Sequence, residues 1–182
     1  MSFSGPLVLC VSHSSAFLPS PFLFHLSAFT SALLTPCPIC QQVESANAGT
    51  HPRHITTLPH CSVVLHDQQG QRGWCVLQLR SHAEHLADLP VSQQQEIFGE
   101  VAAVAAAIRT VTGCTRINYE CLGNIAHHIH WHVIPRYPTD ENPRAAVWGF
   151  QPETLGRTLD PADQTALIAA IRSAIQLQRE PR

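Results

Sequence analysis

The stretch His127-His128-Ile129-His130-Trp131-His132-Val133-Ile134-Pro135-Arg136 decides how this chain is read, because four histidines fall within six residues of it. Histidine alternating with β-branched and aromatic residues reads as a strand, on which successive side chains point to opposite faces. His128, His130 and His132 then share one face, and Ile129, Trp131 and Val133 share the other. One face is imidazole and the other is core. Pro135 is expected to end the strand, since it has no N–H to give to a ladder. Three imidazoles in register would repel one another if charged, which is a cost without a purely structural return. Two chemistries suit them. They can ligate a metal as neutral rings, with further ligands converging from elsewhere. Alternatively, one imidazole attacks phosphorus while its neighbours orient it and donate protons to the leaving group.

Outward from this strand, Arg116 to Cys121 forms a second strand candidate, joined to it through Leu122-Gly123-Asn124-Ile125-Ala126. Further upstream, Cys61 to His66 and Trp74 to Leu79 flank Asp67-Gln68-Gln69-Gly70-Gln71-Arg72-Gly73, a hairpin pattern. The stretch from Thr50 to Pro59 reads as loop. Ser92 followed by Gln95 has the spacing of a capping box, and Ile97, Phe98, Val101, Val104, Ala105 and Ile108 recur at helical spacing up to Gly113. A second helix is expected after Asp160 and Pro161, with Leu167, Ile168, Ile171, Ala174 and Ile175 as its apolar stripe. Strand pair, helix, strand pair, helix, with no strict βαβ alternation, predicts an α+β fold with a mainly antiparallel sheet and two principal helices. Trp74, Trp131, Cys75 and Cys121 are expected in the core.

The 182 residues suit one domain. With a net charge of −2 and 13% charged residues, the chain lacks the broad cationic surface that a nucleic-acid partner requires. All 11 basic residues are arginine, which excludes lysine Schiff-base chemistry and the lysine of a P-loop. Seven cysteines are an odd number with no regular framework, which favours reduced thiols and a cytoplasmic setting. Residues 1–35 are rich in Ser, Phe, Leu and Pro, but the first arginine is Arg53, and Pro19 and Pro21 interrupt the apolar run. They read as a poorly structured N-terminal extension rather than an export signal or a membrane span, with the ordered domain over residues 36–182.

His128-Ile129-His130-Trp131-His132-Val133-Ile134 with Pro135-Arg136 resembles the His-φ-His-φ-His-φ-φ signature of the histidine-triad (HIT) family. Gly73 to His82 is similar to the family strand that ends in a histidine, and the resemblance covers roughly Cys37 to Trp148. It implies a histidine-triad domain that acts at the α-phosphate of a nucleotide or dinucleoside polyphosphate, hydrolysing a phosphoanhydride or phosphoramidate bond or transferring the nucleotidyl group. His130 would be the nucleophile of a nucleotidyl-histidine intermediate, His132 would contact the phosphate or leaving group, and His128 would orient the site. Asn118, Gly123 and Asn124 stand where the family places nucleotide-contacting residues, and Arg136 is a further candidate for a phosphate. No cofactor is required for that chemistry. The third histidine separates the chain from the galactose-1-phosphate uridylyltransferase branch, which resembles Gln at that position. One departure stands out: Ile125 lies where many phosphoramidate hydrolases of the family carry a Ser. Cys37-x-x-Cys40 resembles the zinc site of some bacterial members, which would make Cys37, Cys40, His82 and His128 a structural zinc set, with His85 or His51 as substitute ligands. The resemblance also implies a homodimer. Two other readings stay open: a nucleotide-binding regulatory protein with little turnover, and a zinc-binding protein without nucleotide chemistry.

Overall fold

The structure, a computed structural model, describes residues 37–179. The expected extension over residues 1–35 lies outside the described residues. The hairpin pattern pairs as expected: β2 (Cys61–Leu65) runs antiparallel to β3 (Cys75–Leu79), from Cys61 opposite Leu79 to Leu65 opposite Cys75. A long helix, α2 (Val91–Thr112), leads to β4 (Arg116–Glu120) and then β5 (His130–Arg136). β5 inserts between β3 and β4, a further strand β1 (His54–Thr57) borders β2, and all neighbours in the β1-β2-β3-β5-β4 sheet are antiparallel. This is the α+β architecture that the pattern predicts. Both principal helices form, α4 covering Pro161–Arg179. The Asp160 carboxylate caps α4 by accepting from the N–H groups of Ala162 and Asp163, both at 2.9 Å.

Four local expectations are corrected. Residues 50–59 are not all loop, since β1 (His54–Thr57) pairs with the edge of β2 through a bulge between His54 and Thr56. Ile55 is buried there, and Arg172 of α4 holds the strand by donating to the carbonyls of His54 and Ile55. Tertiary contact overrides a composition that looks irregular. Next, α2 begins at Val91 with Pro90 as its N-cap and no side-chain cap bond, so Ser92 and Gln95 do not form a capping box. Thirdly, Pro135 does not end β5. β3 reaches β5 only as far as Val133, and beyond that β5 pairs with β4 alone, so no ladder bond from β3 asks for the missing N–H. Finally, Cys121 is exposed one residue past β4, whereas Cys75 is fully buried.

The short helix α1 (Pro38–Asn47) has Pro38 in its first turn and buries Ile39, Val43 and Ala46. A further one-turn helix, α3 (Pro152–Leu155), precedes α4. The core lies between one sheet face, carrying Val63, Leu65, Cys75, Leu77, Leu79, Trp131 and Val133, and the apolar stripes of α2 and α4. The other face carries His130 and His132. A smaller cluster of Trp74, Ile134, Val147 and Phe150 packs there. Among the described residues no helix is long and apolar enough to cross a membrane.

Candidate active site and metal centre

β5 delivers His130 and His132 to one face by the expected alternation, while His128 precedes the strand and takes a different direction. Each of the three rings has one nitrogen whose role is set by its partner. His130 Nδ1 lies 2.7 Å from the backbone oxygen of His128. A carbonyl only accepts, so Nδ1 carries the proton and Nε2 of the neutral ring keeps its lone pair. His128 Nε2 donates in the same way to the Leu79 carbonyl at 2.8 Å, leaving Nδ1 free. His132 Nδ1 accepts the indole N–H of Trp74 at 3.2 Å, which places its own proton on Nε2. The rings of His130 and His132 stand 5.2 Å apart in an edge-on arrangement. Burial, and then the neighbouring His130 and His66, push His132 down to about 4, so it is neutral at pH 7.

His130 and His132 open onto a cavity of about 170 Å³ between β2, β3 and α1. Gln42, Arg53, His66, Asp67 and Gln78 supply its polar lining, and Val64 and Val76 supply apolar wall. Arg53 donates to the Leu65 carbonyl at 3.2 Å and has no carboxylate partner among the described residues. Gln78 stands directly across from His130 in the β3–β5 register and donates to Gln42. Sequence reasoning singled out none of these five. A signal for Gln78 existed, because alternation in β3 puts Val76 and Gln78 on the histidine face, where a polar residue between leucines is out of place in a core. Arg53 and Gln42 come from β1 and α1 surroundings that the sequence did not resolve into elements.

On the far side of His132 stands Trp148, its ring 5.4 Å from the imidazole and its indole N–H donated to Glu120, the cross-strand neighbour of His132. The other expected substrate contacts are placed elsewhere. Arg136 is buried and fully engaged, donating to Asp140 at 2.6 Å, Asn118 at 2.6 Å, the Ala145 carbonyl at 2.8 Å and the Asn142 carbonyl at 3.0 Å. Its guanidinium also lies over the Phe150 ring at 5.2 Å. Asn118 thereby spends its carbonyl on Arg136 rather than on the histidine cavity. Gly123, at φ +67°, and the exposed Asn124 shape the β4–β5 connection and do not line that cavity. Ile125, the residue in place of Ser, is fully exposed.

His128 turns its free Nδ1 toward two thiols, at 3.4 Å from Cys37 Sγ and 3.5 Å from Cys40 Sγ, and Cys40 Sγ lies 3.5 Å from His82 Nδ1. The four donor atoms all lie within 4.8 Å of one another, and neither His85 nor His51 is among them. Tetrahedral zinc with Zn–S near 2.3 Å and Zn–N near 2.0 Å separates sulfur from nitrogen by about 3.5 Å, so the set fits that ion. The outer partners fit as well: His128 Nε2 is tied to a carbonyl, and His82 Nε2 lies 3.9 Å from the Glu84 carboxylate. Since the sequence pairs the thiols with histidines over 40 residues away, only the fold shows that the four meet.

Residues 50–139 match the family model described as HIT domain. No curated protein matches the chain. Among solved structures, a histidine triad protein from Bradyrhizobium japonicum is 28% identical with a TM-score of 0.61, over 67% of this chain and 89% of that one. One from Marinobacter aquaeolei VT8 is 25% identical with a TM-score of 0.61, over 68% and 88%. A Zn-bound histidine triad family protein from Mycobacterium smegmatis shares the fold at 21% identity, with a TM-score of 0.57 over 78% and 94%. Signature, family model and fold agree, and this chain carries a histidine-triad (HIT) domain.

Proposed function

We propose that the protein is a nucleotide hydrolase or nucleotidyl transferase that works at the α-phosphate through a covalent nucleotidyl-histidine. The single observation that carries this reading is the His128 carbonyl on His130 Nδ1, which leaves the Nε2 lone pair directed away from the backbone beside a cavity holding Arg53. In the first step Nε2 attacks phosphorus, a P–N bond forms, and the bond to the leaving group breaks with its electron pair. Water then attacks the same phosphorus and returns His130. His132 would contact the phosphate or leaving group, Arg53 would hold the non-bridging oxygens, and Gln42, Asp67 and Gln78 would give the cavity polar groups for a nucleoside.

Cys37, Cys40, His82 and His128 would hold a structural zinc, which when bound anchors the residue whose carbonyl orients His130. With four protein ligands such a site has no open position, so the chemistry stays with the histidines. A homodimer is supported by an apolar groove of about 480 Å³ beside β4, an edge strand among the described residues, where Phe98 and Tyr119 are half exposed. One observation favours a second reading, a nucleotide-binding protein with little turnover: Ile125 brings no hydroxyl to the phosphate.

A panel of adenosine phosphoramidate, diadenosine polyphosphates and nucleotide sugars tests the reading, with release of the nucleoside monophosphate and intact mass of the protein as readouts. The expected result is turnover and a nucleotidyl adduct, both absent from His130→Ala. Turnover by His130→Ala at the parent rate would refute it, and tight binding without an adduct would select the second reading.

A further inference from the structure

The tautomer of His132 is set by a residue outside the histidine cluster. Trp74 is fully buried just before β3, with His66 stacked on its indole at 4.1 Å and an interplanar angle of 8°. Trp148 closes on it edge-on at 5.5 Å. An indole N–H can only donate, so its bond to His132 Nδ1 consumes the lone pair on that nitrogen. We propose that Trp74 is a positioning residue that holds His132 as a neutral Nε2–H donor, and that the site therefore favours nucleotides whose leaving group departs as a phosphate anion over those whose leaving group is an amine. The inference rests on the nucleotidyl-histidine reading above and sharpens its substrate class.

The chemistry separates the two classes. When His130 Nε2 bonds to phosphorus, the leaving group takes the electrons of the broken bond. A phosphate or nucleotide leaves as a stable anion at neutral pH and needs only hydrogen bonds, which a neutral N–H supplies without losing its proton. An amine must receive a proton as its bond breaks, and a neutral imidazole N–H is far too weak an acid for that. Burial and the neighbours His130 and His66 disfavour the imidazolium that would be needed. The other charged groups near His132 do not restore a proton source. Glu120 across the strand is an acceptor of the Trp148 N–H, and Arg53 and Asp67 line the cavity on the other side. Ile125 offers no hydroxyl to relay one.

The test uses the full chain and Trp74→Phe, which keeps an aromatic ring in the stack and removes the donor. The expected kcat/KM at pH 7 is tenfold or more higher for a diadenosine polyphosphate than for adenosine phosphoramidate. In the ¹⁵N spectrum of the parent, His132 should show a bare, hydrogen-bonded Nδ1 and a protonated Nε2. Trp74→Phe should show mixed tautomers for His132 and lose about tenfold in kcat on the polyphosphate, with KM little changed. A parent enzyme that prefers the phosphoramidate would overturn the inference while leaving the nucleotidyl-histidine intact. An unchanged His132 spectrum in Trp74→Phe would overturn it too. Should Trp74→Phe not fold, the parent's spectrum and substrate ratio decide. No turnover and no adduct with either substrate would bring down the parent reading and this one together.

Discussion

Replacing Arg136 with Met tests whether that residue holds the protein or the substrate. In the folded chain the Arg136 side chain is 7% exposed and the Asp140 side chain 3% exposed, so both charges sit away from water and compensate each other. Methionine keeps much of the volume but leaves the Asp140 carboxylate buried without a cation. Gln71, with its amide turned to satisfy both ends, donates to Asp140 Oδ1 at 3.1 Å and is a neutral partner only. Breaking a buried ion pair from one side costs about 3–5 kcal/mol. For a chain of this size that lowers the melting temperature by about 6–20 °C. The lost bonds to Asn118 and to the carbonyls of Asn142 and Ala145 should also loosen the segment from Tyr137 to Phe150, which carries Trp148. Thermal melts, with amide exchange over that segment, supply the assay. Arg136→Met combined with Asp140→Leu removes both charges and should recover part of the loss. A single variant that melts within about 2 °C of the parent would refute the reasoning. If that variant also showed a raised KM, Arg136 would be a phosphate ligand after all.

Three further outcomes follow from the geometry. The protein should bind about one zinc per chain, and Cys37→Ser with Cys40→Ser should lose it together with on the order of 10 °C of melting temperature; equal melting of metal-free and reconstituted protein would count against the site. Stability should fall on acidification, because His132 is held down to about 4 and His66 is also lowered by burial, so below about pH 6.5 the unfolded chain takes up protons that the folded one refuses. Both states are neutral above that pH; allowing for partial exposure, His132 alone should cost about 2 kcal/mol between pH 6.5 and 4, and equal urea midpoints at pH 7 and pH 4.5 would contradict this. Gly70→Ala should cost about 1–3 kcal/mol, since its Cβ would meet the Thr154 backbone oxygen at 2.0 Å, and an unchanged melt would show that the loop yields.

The histidine strand, the hairpin and both principal helices are legible in the chain because each rests on a local period, two for strands and 3.6 for helices, together with caps and breakers that act within a few residues. The alternation that puts His130 and His132 on one face is equally local. α1 left local signals as well, in Pro38 and the spacing of Ile39, Val43 and Ala46, yet ten residues give a weak period. β1 left only Ile55-Thr56-Thr57, a β-branched run too short to stand out between Pro52 and Pro59. It exists because β2 has an edge to pair and the core has room for Ile55. The nitrogen that each histidine leaves free was decided only by tertiary structure, because the Leu79 carbonyl and the Trp74 indole reach His128 and His132 across 49 and 58 residues. So was the fate of Arg136, adjacent in sequence to the triad but consumed by Asp140, Asn118 and the chain beyond it. Sequence sets which groups can donate, accept or ligate. Which of them meet, and hence which are left free for a substrate, depends on burial and on long-range contacts that carry no periodic trace in the chain.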